Sequence, residues 1–263
     1  MEEISLNAWP SYRIELYDGW LLRYSHNYSF RTNSVEQIGT GTIPIGEKIR
    51  YCEQIYSDLM SPASFKINPL LDPSFEPLLE ERGYEVRHVT EVMTADIADM
   101  DLQKESGLEY LFENRLNLPT LVHMGEDIVV KLTAHITQEW IQGLFSLNGT
   151  ADPTLRRIVP KMYSAIPKET IAASVELDGR MVASGLCIRD REWAGIYAIY
   201  VTPSCWNRGY ARAVCSTLLE EAQKLGAKKA YLQVVKRNEP AKRLYRSLGF
   251  EKFYTYWFRS RKV

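Results

Sequence analysis

Cysteine and histidine are scarce in this chain. Four of each occur among 263 residues, and no two cysteines are spaced C-x-x-C. This scarcity excludes a disulfide-dense scaffold and argues against a zinc site. We therefore expect free thiols, no bound metal and a cytoplasmic location, where the reducing environment keeps thiols free.

Long apolar runs are also lacking. No stretch approaches the roughly 20 apolar residues that a membrane-spanning helix needs. The first residues, Met1-Glu2-Glu3, are acidic, whereas a secretory signal begins with a basic segment followed by an apolar one. We expect neither a signal peptide nor a membrane partner. The hydrophobic content of 45% and charged content of 25% are typical of a soluble globular chain with one large or two smaller domains.

Two nucleotide-binding signatures are missing. Neither G-x-x-x-x-G-K-[ST] nor G-x-G-x-x-G occurs, which argues against a P-loop and a dinucleotide site. The net charge is only -1, but from residue 206 to the end 14 lysines and arginines face 4 acidic residues. A basic segment suits an anionic ligand. Nucleic acid is a competing ligand, but no nucleic-acid-binding motif accompanies the charge, so we expect no such partner.

Strand and helix patterns alternate along the chain and predict an α/β protein (α+β, with a mixed sheet). The first part contains a hairpin turning at Asp18-Gly19, a helical stripe over 45–59, a short strand over 65–67, a helix capped by Asp72 and ending at Gly83, and a strand over 86–93. The second part contains a strand over 128–134, a helix over 137–147 with Thr137 as its cap, a helix over 153–166, a hairpin turning at Asp178-Gly179 and a strand over 193–201. It continues with a helix over 209–225, a strand over 230–235, a helix over 239–248 that ends at Gly249 and a strand over 250–259. We predict domains of residues 1–125 and 126–263.

One segment of the second part combines a strand, a loop and the start of a helix. The β-rich run 196–201 is followed by Pro203, then by Gly209 in a loop, and an apolar-periodic helix starts near Ala211. The first N–H groups of a helix have no partner within it, and the helix dipole adds partial positive charge there. Such a terminus is a ready anion site.

Arg208 and Arg212 flank this helix start with full charges that suit phosphate oxygens. Gly209 alone is weak evidence, because a glycine before a helix often only supplies a turn with positive φ. The segment therefore predicts a phosphate site, with a plain turn as the alternative.

A second segment downstream strengthens the phosphate interpretation. It reads N-E-P-A-x-x-L-Y-x-x-L-G-F from Asn238 to Phe250. Together with Val201-x-Pro203 and the run 207–212, it resembles the two acyl-CoA motifs of the GNAT superfamily of N-acetyltransferases, R/Q-x-x-G-x-G/A at a helix start and N-x-x-A-x-x-x-Y-x-x-x-G-F. One helix and one strand separate the two segments, as that family requires. The resemblance covers about half the chain.

The resemblance implies a GNAT-like acyl-CoA N-acyltransferase fold and an acetyl-CoA-dependent N-acetyltransferase. Acetyl-CoA would be the co-substrate and an amine the acceptor, with direct transfer and no covalent enzyme intermediate. The pantetheine arm would pair with a splayed strand and the pyrophosphate with the loop. The cofactor-binding residues carried over are Ile199, Tyr200, Val201, Trp206, Asn207, Arg208, Gly209, Tyr210, Ala211, Arg212 and Asn238.

The resemblance also makes Tyr245 the general acid that protonates the departing CoA thiolate. A phenol with a pKa near ~10 is suited to this role, because the thiolate is of similar basicity. The alternative is a core tyrosine beside Leu244 and Leu248. Asn238 likewise has two interpretations, a hydrogen bond to the cofactor arm or a cap for the helix that starts at Pro240.

Two departures from the family pattern stand out. Trp206 occupies the position where the family has Arg or Gln, so we expect weakened but not abolished cofactor binding, since backbone N–H groups still face the pyrophosphate. The strand over 195–201 contains no carboxylate to act as general base, and Glu176 on the preceding hairpin is a remote candidate. These departures leave open a non-catalytic acyl-CoA-binding or regulatory module.

The first half carries a faint echo of the second. Laying Gly83 on Gly249 aligns a helix, a glycine, an aromatic residue and a strand, and puts Leu79 at the position of Tyr245. The run Gly39-Thr40-Gly41-Thr42 precedes a helix but lacks the arginine pattern. We predict that this half is a degenerate GNAT-like copy or an accessory domain, which does no chemistry and walls the acceptor site. The acceptor and the oligomeric state stay undetermined.

Overall fold

The computed structural model describes residues 1–100, 108–112, 120–124 and 128–261. The domain boundary predicted at 125/126 lies outside these residues. The helices are α1 (Glu2–Ala8), α2 (Ile45–Asp58), α3 (Phe75–Glu81), α4 (Gln138–Asn148), α5 (Pro153–Ser164), α6 (Tyr210–Lys224) and α7 (Glu239–Arg246). The strands are β1 (Arg13–Tyr17), β2 (Trp20–Tyr24), β3 (Val35–Gln37), β4 (Ser64–Ile67), β5 (Glu85–Asp96), β6 (Leu108–Phe112), β7 (Thr120–Met124), β8 (Ile128–Thr133), β9 (Glu169–Leu177), β10 (Arg180–Asp190), β11 (Trp193–Val201), β12 (Lys229–Val235) and β13 (Glu251–Ser260).

All described strands join one sheet. The sheet is mixed, as the sequence predicts. Its order is β1-β2-β3-β4-β13-β5-β12-β11-β10-β9-β8-β7-β6. Only the pairs β3–β4 and β11–β12 are parallel among the strand pairs of the described residues. Each of these two parallel pairs is connected through a helix, as a parallel connection requires.

The two halves of the chain exchange strands at the centre of this sheet. β5, from the first half, pairs with both β12 and β13. β13, the last strand, pairs with both β4 and β5. Each half therefore completes the other half's sheet, and the central four strands alternate between the halves.

The order of elements repeats. The series β1-β2-β3-α2-β4-α3-β5 corresponds to β9-β10-β11-α6-β12-α7-β13. Both hairpins turn through an Asp-Gly pair with positive φ at both residues. α3 and α7 both end at a left-handed glycine, and the N–H of the next residue donates to the carbonyl five positions back, Tyr84 to Leu79 and Phe250 to Tyr245, each at 3.0 Å. The repeated topology supports the predicted tandem arrangement.

Several elements escape the sequence patterns. α1 begins at Glu2 with no side-chain cap, and β3 has only three residues, so neither gives a strong periodic signal. Asp72 was expected to cap α3. That helix instead begins at Phe75, and the Asp72 carboxylate accepts from the N–H of Ser74 at 2.8 Å in the turn before it. Within the described ranges, no helix is long and apolar enough to span a bilayer.

The sheet separates two apolar layers around β11. Ile196, Ile199 and Val201 pack with α6 in one cluster. Tyr197 and Ala198 pack in another cluster with α4, α5 and the residue that follows α1, Trp9. A β-bulge at Ala198, described below, puts both Tyr197 and Ala198 on the second face.

Candidate active site

β11 and β12 separate at the centre of the candidate site. They pair in parallel from Trp193 to Ile196 on β11 and from Lys229 to Leu232 on β12, and no further. β11 then continues to Val201 while β12 continues to Val235. The backbone edges of the two strands therefore face an opening, as the sequence analysis expected of a splayed strand.

A β-bulge marks the point where β11 leaves β12. Ala198 has a φ of +50°, which is rare for a residue other than glycine. Ala198 and Ile199 fall outside the register with β10, because the pairing shifts between Ser184 and Leu186. The Ala198 carbonyl accepts from the Ser184 hydroxyl at 2.9 Å. Bulges of this kind re-aim backbone groups beside active sites.

Gly185 lets α6 approach this bulge. A Cβ atom at residue 185 would lie 2.4 Å from Val214 Cγ1 on α6 and 2.9 Å from Ile199 Cδ1. We expect Gly185→Ala to reduce the free energy of unfolding by about 1–3 kcal/mol through overpacking, measured by urea denaturation. Adding Val214→Ala, which removes the clashing methyl, should recover part of the loss. Strictly additive effects of the two substitutions would contradict this packing account.

The loop between β11 and α6 ends at an uncapped helix N-terminus. Gly209 is the N-cap residue, with a φ of +85°, and Asn207 has a φ of +60°. No side chain of the described residues caps this helix. The first backbone hydrogen bond within it runs from the N–H of Ala213 to the carbonyl of Gly209 at 2.9 Å. The preceding N–H groups are therefore available to an anion.

The two arginines around this N-terminus differ in exposure and in their contacts. Arg208 is exposed and lies beside the free N–H groups. Arg212 is half-buried and donates to the Ser247 hydroxyl just beyond α7. Tyr210 is buried under the loop, and Ala211 is half-buried in the first turn. One arginine is thus free for a ligand, while the other also joins α6 to the end of α7.

Trp206 has a definite structural role in the loop. Its ring is 62% exposed, and its Nε1 donates to the Val201 carbonyl at 2.8 Å. This bond fixes the loop against the end of β11. It also occupies the Val201 carbonyl, one of the backbone groups expected to face the pantetheine arm. Where the family has an arginine or glutamine contact, Trp206 therefore forms a hydrogen bond that joins the loop to β11.

Tyr245 lies on α7, in the cluster under α6. Its ring contacts Phe250 edge-on at 6.2 Å and is buried. Its hydroxyl makes no hydrogen bond to the described residues. Burial, with a smaller contribution from Cys215, raises the pKa of this phenol well above its usual value. Tyr245 is therefore protonated at neutral pH, but its pKa lies above the value near ~10 that was expected to match the thiolate.

Asn238 caps α7. Its Oδ1 accepts from the N–H of Ala241 at 3.2 Å, and the side chain is exposed. The helix-cap interpretation is therefore correct, while a hydrogen bond to a cofactor remains a prediction. Glu176, the remote candidate base, forms an ion pair with Lys131 of β8 at 3.4 Å.

The chief feature that sequence reasoning missed is an aromatic surface on the other face of β11. Trp9 belongs to this surface and stacks parallel to Tyr197 at 6.1 Å. Arg31 lies at its border and donates to the Tyr256 hydroxyl at 3.0 Å. The residues are scattered from position 9 to position 256, so no local motif could have joined them. The number of tyrosines, 16, was the one available signal.

Two other features lie apart from this site. A cavity of about 830 Å³ runs along β8 and β9, between Lys131, Trp140 and Glu176. Apart from Glu176, its described lining includes none of the predicted site residues. No group of three or more His, Cys, Asp or Glu side chains that would hold a metal is found among the residues the structure describes.

The corresponding loop of the first half is filled by its own carboxylate. Asp18, in the β1–β2 turn, accepts from the N–H groups of Thr42 and Ile43, both at 2.9 Å, and pairs with Lys48 at 3.2 Å. The bonds from Thr42 and Ile43 lower the Asp18 pKa to about 2. The amides that precede α2 are thus already bound to an anion.

Comparison with known proteins agrees with this geometry. The model of the acetyltransferase (GNAT) family matches residues 137–250. The protein YobR of Bacillus subtilis (strain 168), named an uncharacterized N-acetyltransferase, is 21% identical over 263 residues, covering 100% of this chain and 98% of its own.

Solved structures share the fold. A GCN5-related N-acetyltransferase from Kribbella flavida superposes with a TM-score of 0.64 at 14% identity, over 96% of this chain and 90% of its own. A tandem GNAT protein from the clavulanic acid biosynthesis pathway superposes with a TM-score of 0.63 at 11% identity, over 87% of this chain and 74% of its own. Residues 137–250 of this chain are therefore an acetyltransferase domain of the GNAT family, set in a mixed α/β sheet of GNAT-like fold.

Proposed function

We propose that this protein is an acetyl-CoA-dependent N-acetyltransferase that moves the acetyl group directly to an amine. The observation that carries the proposal is the continuity between two features. The opening between β11 and β12 leads along Val201 to the uncapped N-terminus of α6. A splayed strand edge followed by free helix N–H groups suits a pantetheine arm followed by a pyrophosphate.

The residues present fit this ligand. Backbone groups of Ile199, Tyr200 and Val201 would pair with the arm, and the N–H groups of residues 207–212 with the phosphates. The positive φ of Gly209 turns the loop so that its amides converge. A bound acyl thioester supplies the activated carbonyl, and Tyr245, protonated at rest, would donate the proton that the departing sulfur takes up.

The amide of Ile199 is the candidate that polarises this carbonyl. It lies at the bulge, outside the register with both neighbouring strands, so no ladder bond uses it. A preorganised N–H aimed at developing negative charge is an effective catalytic group. Since β11 carries no carboxylate from Gly195 to Val201, we propose that solvent accepts the proton of the amine.

The roles of the two halves follow from the exchange of strands. We propose that residues 126–263 carry the catalytic groups and that residues 1–125 complete the sheet and wall the acceptor side. Asp18, which fills the anion position before α2, supports an inert first half. The four free, buried cysteines support a reducing, cytoplasmic setting.

Two measurements test the proposal. Calorimetry should detect acetyl-CoA binding, and a thiol-release assay with an amine panel should detect free CoA. Gly209→Val, which strains the left-handed turn, should weaken acetyl-CoA binding at least about 10-fold, since each tenfold change requires only about 1.4 kcal/mol. Gly179→Val, at a left-handed glycine of the β9–β10 turn, is the matched control. An equal loss of acetyl-CoA binding in Gly209→Val and Gly179→Val would refute the assignment of the loop to the pyrophosphate.

A non-catalytic acyl-CoA-binding module is the second candidate. The specific observation in its favour is that Trp206 takes the Val201 carbonyl through a 2.8 Å bond, which leaves one acceptor fewer for the pantetheine arm. Tight acetyl-CoA binding with no thiol release from any amine would favour this alternative. Thiol release dependent on Tyr245 would exclude it.

A further inference from the structure

Aromatic side chains gather on the face of β11 opposite α6. We call this group the aromatic cluster; its members are Trp9, Tyr28, Tyr163, Tyr197 and Tyr200. Trp9 stacks on Tyr197 at 6.1 Å with 3° between the planes and on Tyr28 at 6.3 Å with 28°. Tyr163, from α5, contacts the Trp9 ring edge-on at 5.1 Å. Tyr200 lies close enough to influence the pKa of both Tyr28 and Tyr163.

The aromatic cluster is open on one side. Tyr200 is 44% exposed, and Trp9, Tyr28 and Tyr197 are half-buried. Tyr197 and Tyr200 belong to the part of β11 that has separated from β12. The cluster therefore borders the opening in the sheet, on the face away from the helix α6 that would hold the pyrophosphate.

Arg31 borders the same opening from the β12 side. Its Nε donates to the Tyr256 hydroxyl at 3.0 Å, and that hydroxyl donates to Gln233 Oε1 at 2.7 Å. Gln233 follows Leu232, the last residue of β12 that pairs with β11. Burial acts to lower the pKa of Arg31, but Tyr256, Tyr197 and Tyr200 outweigh burial and raise it.

The Arg31 guanidinium has no anionic partner in the part of the chain that the structure describes. It is half-buried, and no carboxylate of the described residues lies within 4.0 Å of it. Its terminal nitrogens make no hydrogen bond to those residues, although a guanidinium offers five N–H donors. A half-buried cation without a counter-ion is costly unless a ligand supplies one.

Arg237 and Arg87 act on the same neighbouring histidine as Arg31. The pKa of His88, whose ring contacts Phe30 at 4.2 Å, is lowered by burial and then by Arg237 and Arg31. An anion entering beside Arg31 would therefore meet positive potential from more than one residue.

We infer that the aromatic cluster and Arg31 form the acceptor subsite, and that the acceptor is an amine that has both an aromatic ring and a carboxylate, as an aromatic amino acid does. Arg31 would bind the carboxylate through paired N–H donors, and Trp9 with Tyr28 would face the ring. This inference rests on the proposed function, since the subsite is meaningful only beside a bound acyl group.

The reaction balances without a further reagent. The amine nitrogen forms a bond to the acetyl carbon, the carbon–sulfur bond of the thioester breaks, and the amine loses one proton to solvent. The sulfur gains a proton from Tyr245, which solvent then replaces. The products are the N-acetylated amino acid and free CoA.

Matched acceptors test the inference with the full-length protein. Phenylalanine and phenethylamine differ only in the carboxylate, and phenylalanine and alanine differ only in the ring. We expect a KM for phenylalanine at least about 10-fold below those of the other two, because a charge-assisted pair and an aromatic contact are each worth roughly a kcal/mol or more. Equal KM values for phenylalanine and phenethylamine would overturn the assignment of Arg31 to the carboxylate. Equal KM values for phenylalanine and alanine would overturn the assignment of the aromatic cluster to the ring.

Variants of Arg31 locate the carboxylate. Arg31→Gln should raise the KM for phenylalanine about 10- to 100-fold while leaving the KM for phenethylamine and for acetyl-CoA unchanged, and Arg31→Lys should recover part of the loss. Arg157→Gln, at an exposed arginine of α5, is the control and should change none of these values. An Arg31→Gln variant that keeps the wild-type KM for phenylalanine overturns the inference.

A binding measurement separates this inference from the proposed function. Calorimetry with phenylalanine alone, without acetyl-CoA, should show binding that Arg31→Gln weakens about 10- to 100-fold. If phenylalanine binds in this way but acetyl-CoA does not, the proposed function fails, and the site stands only as a binding site for an aromatic amino acid. If acetyl-CoA binds and amines are acetylated, but phenylalanine neither binds nor reacts, the subsite fails and the proposed function stands.

Discussion

Replacing Tyr245 with phenylalanine is expected to lower kcat about 100-fold, within the range of roughly 10²–10⁴ that a positioned acid contributes. The substitution keeps the ring that packs beside Phe250, so the cluster under α6 should stay intact. It removes only a hydroxyl that makes no hydrogen bond to the described residues. The dissociation constant of acetyl-CoA, measured by calorimetry, should therefore change little, whereas thiol release should fall sharply.

The matched control for this experiment is Tyr17→Phe. Tyr17 stacks on Tyr51 at 3.8 Å in the first half of the chain, and its hydroxyl likewise makes no hydrogen bond to the described residues. The same chemical deletion there should leave both turnover and binding at wild-type values. Turnover of Tyr245→Phe equal to that of wild type would show that Tyr245 is only a packing residue.

The internal repeat explains why we expect only one half to react. The N–H of Phe250 donates to the carbonyl of Tyr245, and the N–H of Tyr84 donates to that of Leu79, at the same 3.0 Å. The correspondence that the sequence analysis drew between Leu79 and Tyr245 is thus confirmed in the backbone. The first half has kept the helix, its left-handed glycine and the strand, but carries a side chain without a proton to donate.

Local elements and the phosphate loop were predictable because their signals lie within a few residues. The Asp-Gly turns, the Thr137 cap and the helix stop at Gly249 each have a short-range chemical cause. The structure has Thr137 Oγ1 accepting from the N–H of Trp140 at 3.1 Å, as expected. One short segment likewise predicted Gly209, Arg208 and Arg212 at the start of α6.

Long-range features had no such signal. β5 lies between β12 and β13, and strand pairing across more than 130 residues leaves no local pattern beyond an apolar run. The sequence shows that Trp206 departs from the family pattern, but the bond from Trp206 to the Val201 carbonyl depends on how the loop folds back. Arg31 and Trp9 reach the opening only because the two halves share one sheet.

The second large effect is expected from a buried ion network in the first half. Glu36 pairs with Arg23 at 2.8 Å and with Lys66 at 3.2 Å, and Lys66 also pairs with Glu2 at 2.7 Å. Arg23, Glu36 and Lys66 are all buried. Glu36→Gln leaves two buried cations with one carboxylate, so we expect the free energy of unfolding to fall by about 3–5 kcal/mol, as measured by urea denaturation at pH 7.

An exposed ion pair provides the control. Glu169 pairs with Arg189 across β9 and β10, with the glutamate side chain 58% exposed. Glu169→Gln should cost less than about 1 kcal/mol, because solvent already screens the two charges. Equal losses in the two variants would mean that burial adds nothing to the value of the Glu36 network.

The pH dependence of stability tests whether the Glu36 charge is the cause of the stability lost in Glu36→Gln. Burial alone would raise the Glu36 pKa, but Lys66 and Arg23 outweigh it and hold the pKa below its usual value. A carboxyl whose pKa is lowered by folding stabilises the protein above its unfolded pKa and loses this contribution as the pH falls. The stability gap between wild type and Glu36→Gln should therefore be complete at pH 7 and narrow below about pH 4. A gap of constant size would point to lost packing instead.

The same network connects stability to the proposed acceptor subsite. Arg23, held by Glu36, also donates to the Trp9 carbonyl and to the Ser11 hydroxyl, and Glu2 belongs to α1, which ends just before Trp9. Loss of the Glu36 charge should therefore loosen Trp9 before the protein unfolds. We expect Glu36→Gln, assayed where it is still folded, to raise the acceptor KM and leave the acetyl-CoA affinity unchanged, because the loop at Gly209 is held by none of these residues.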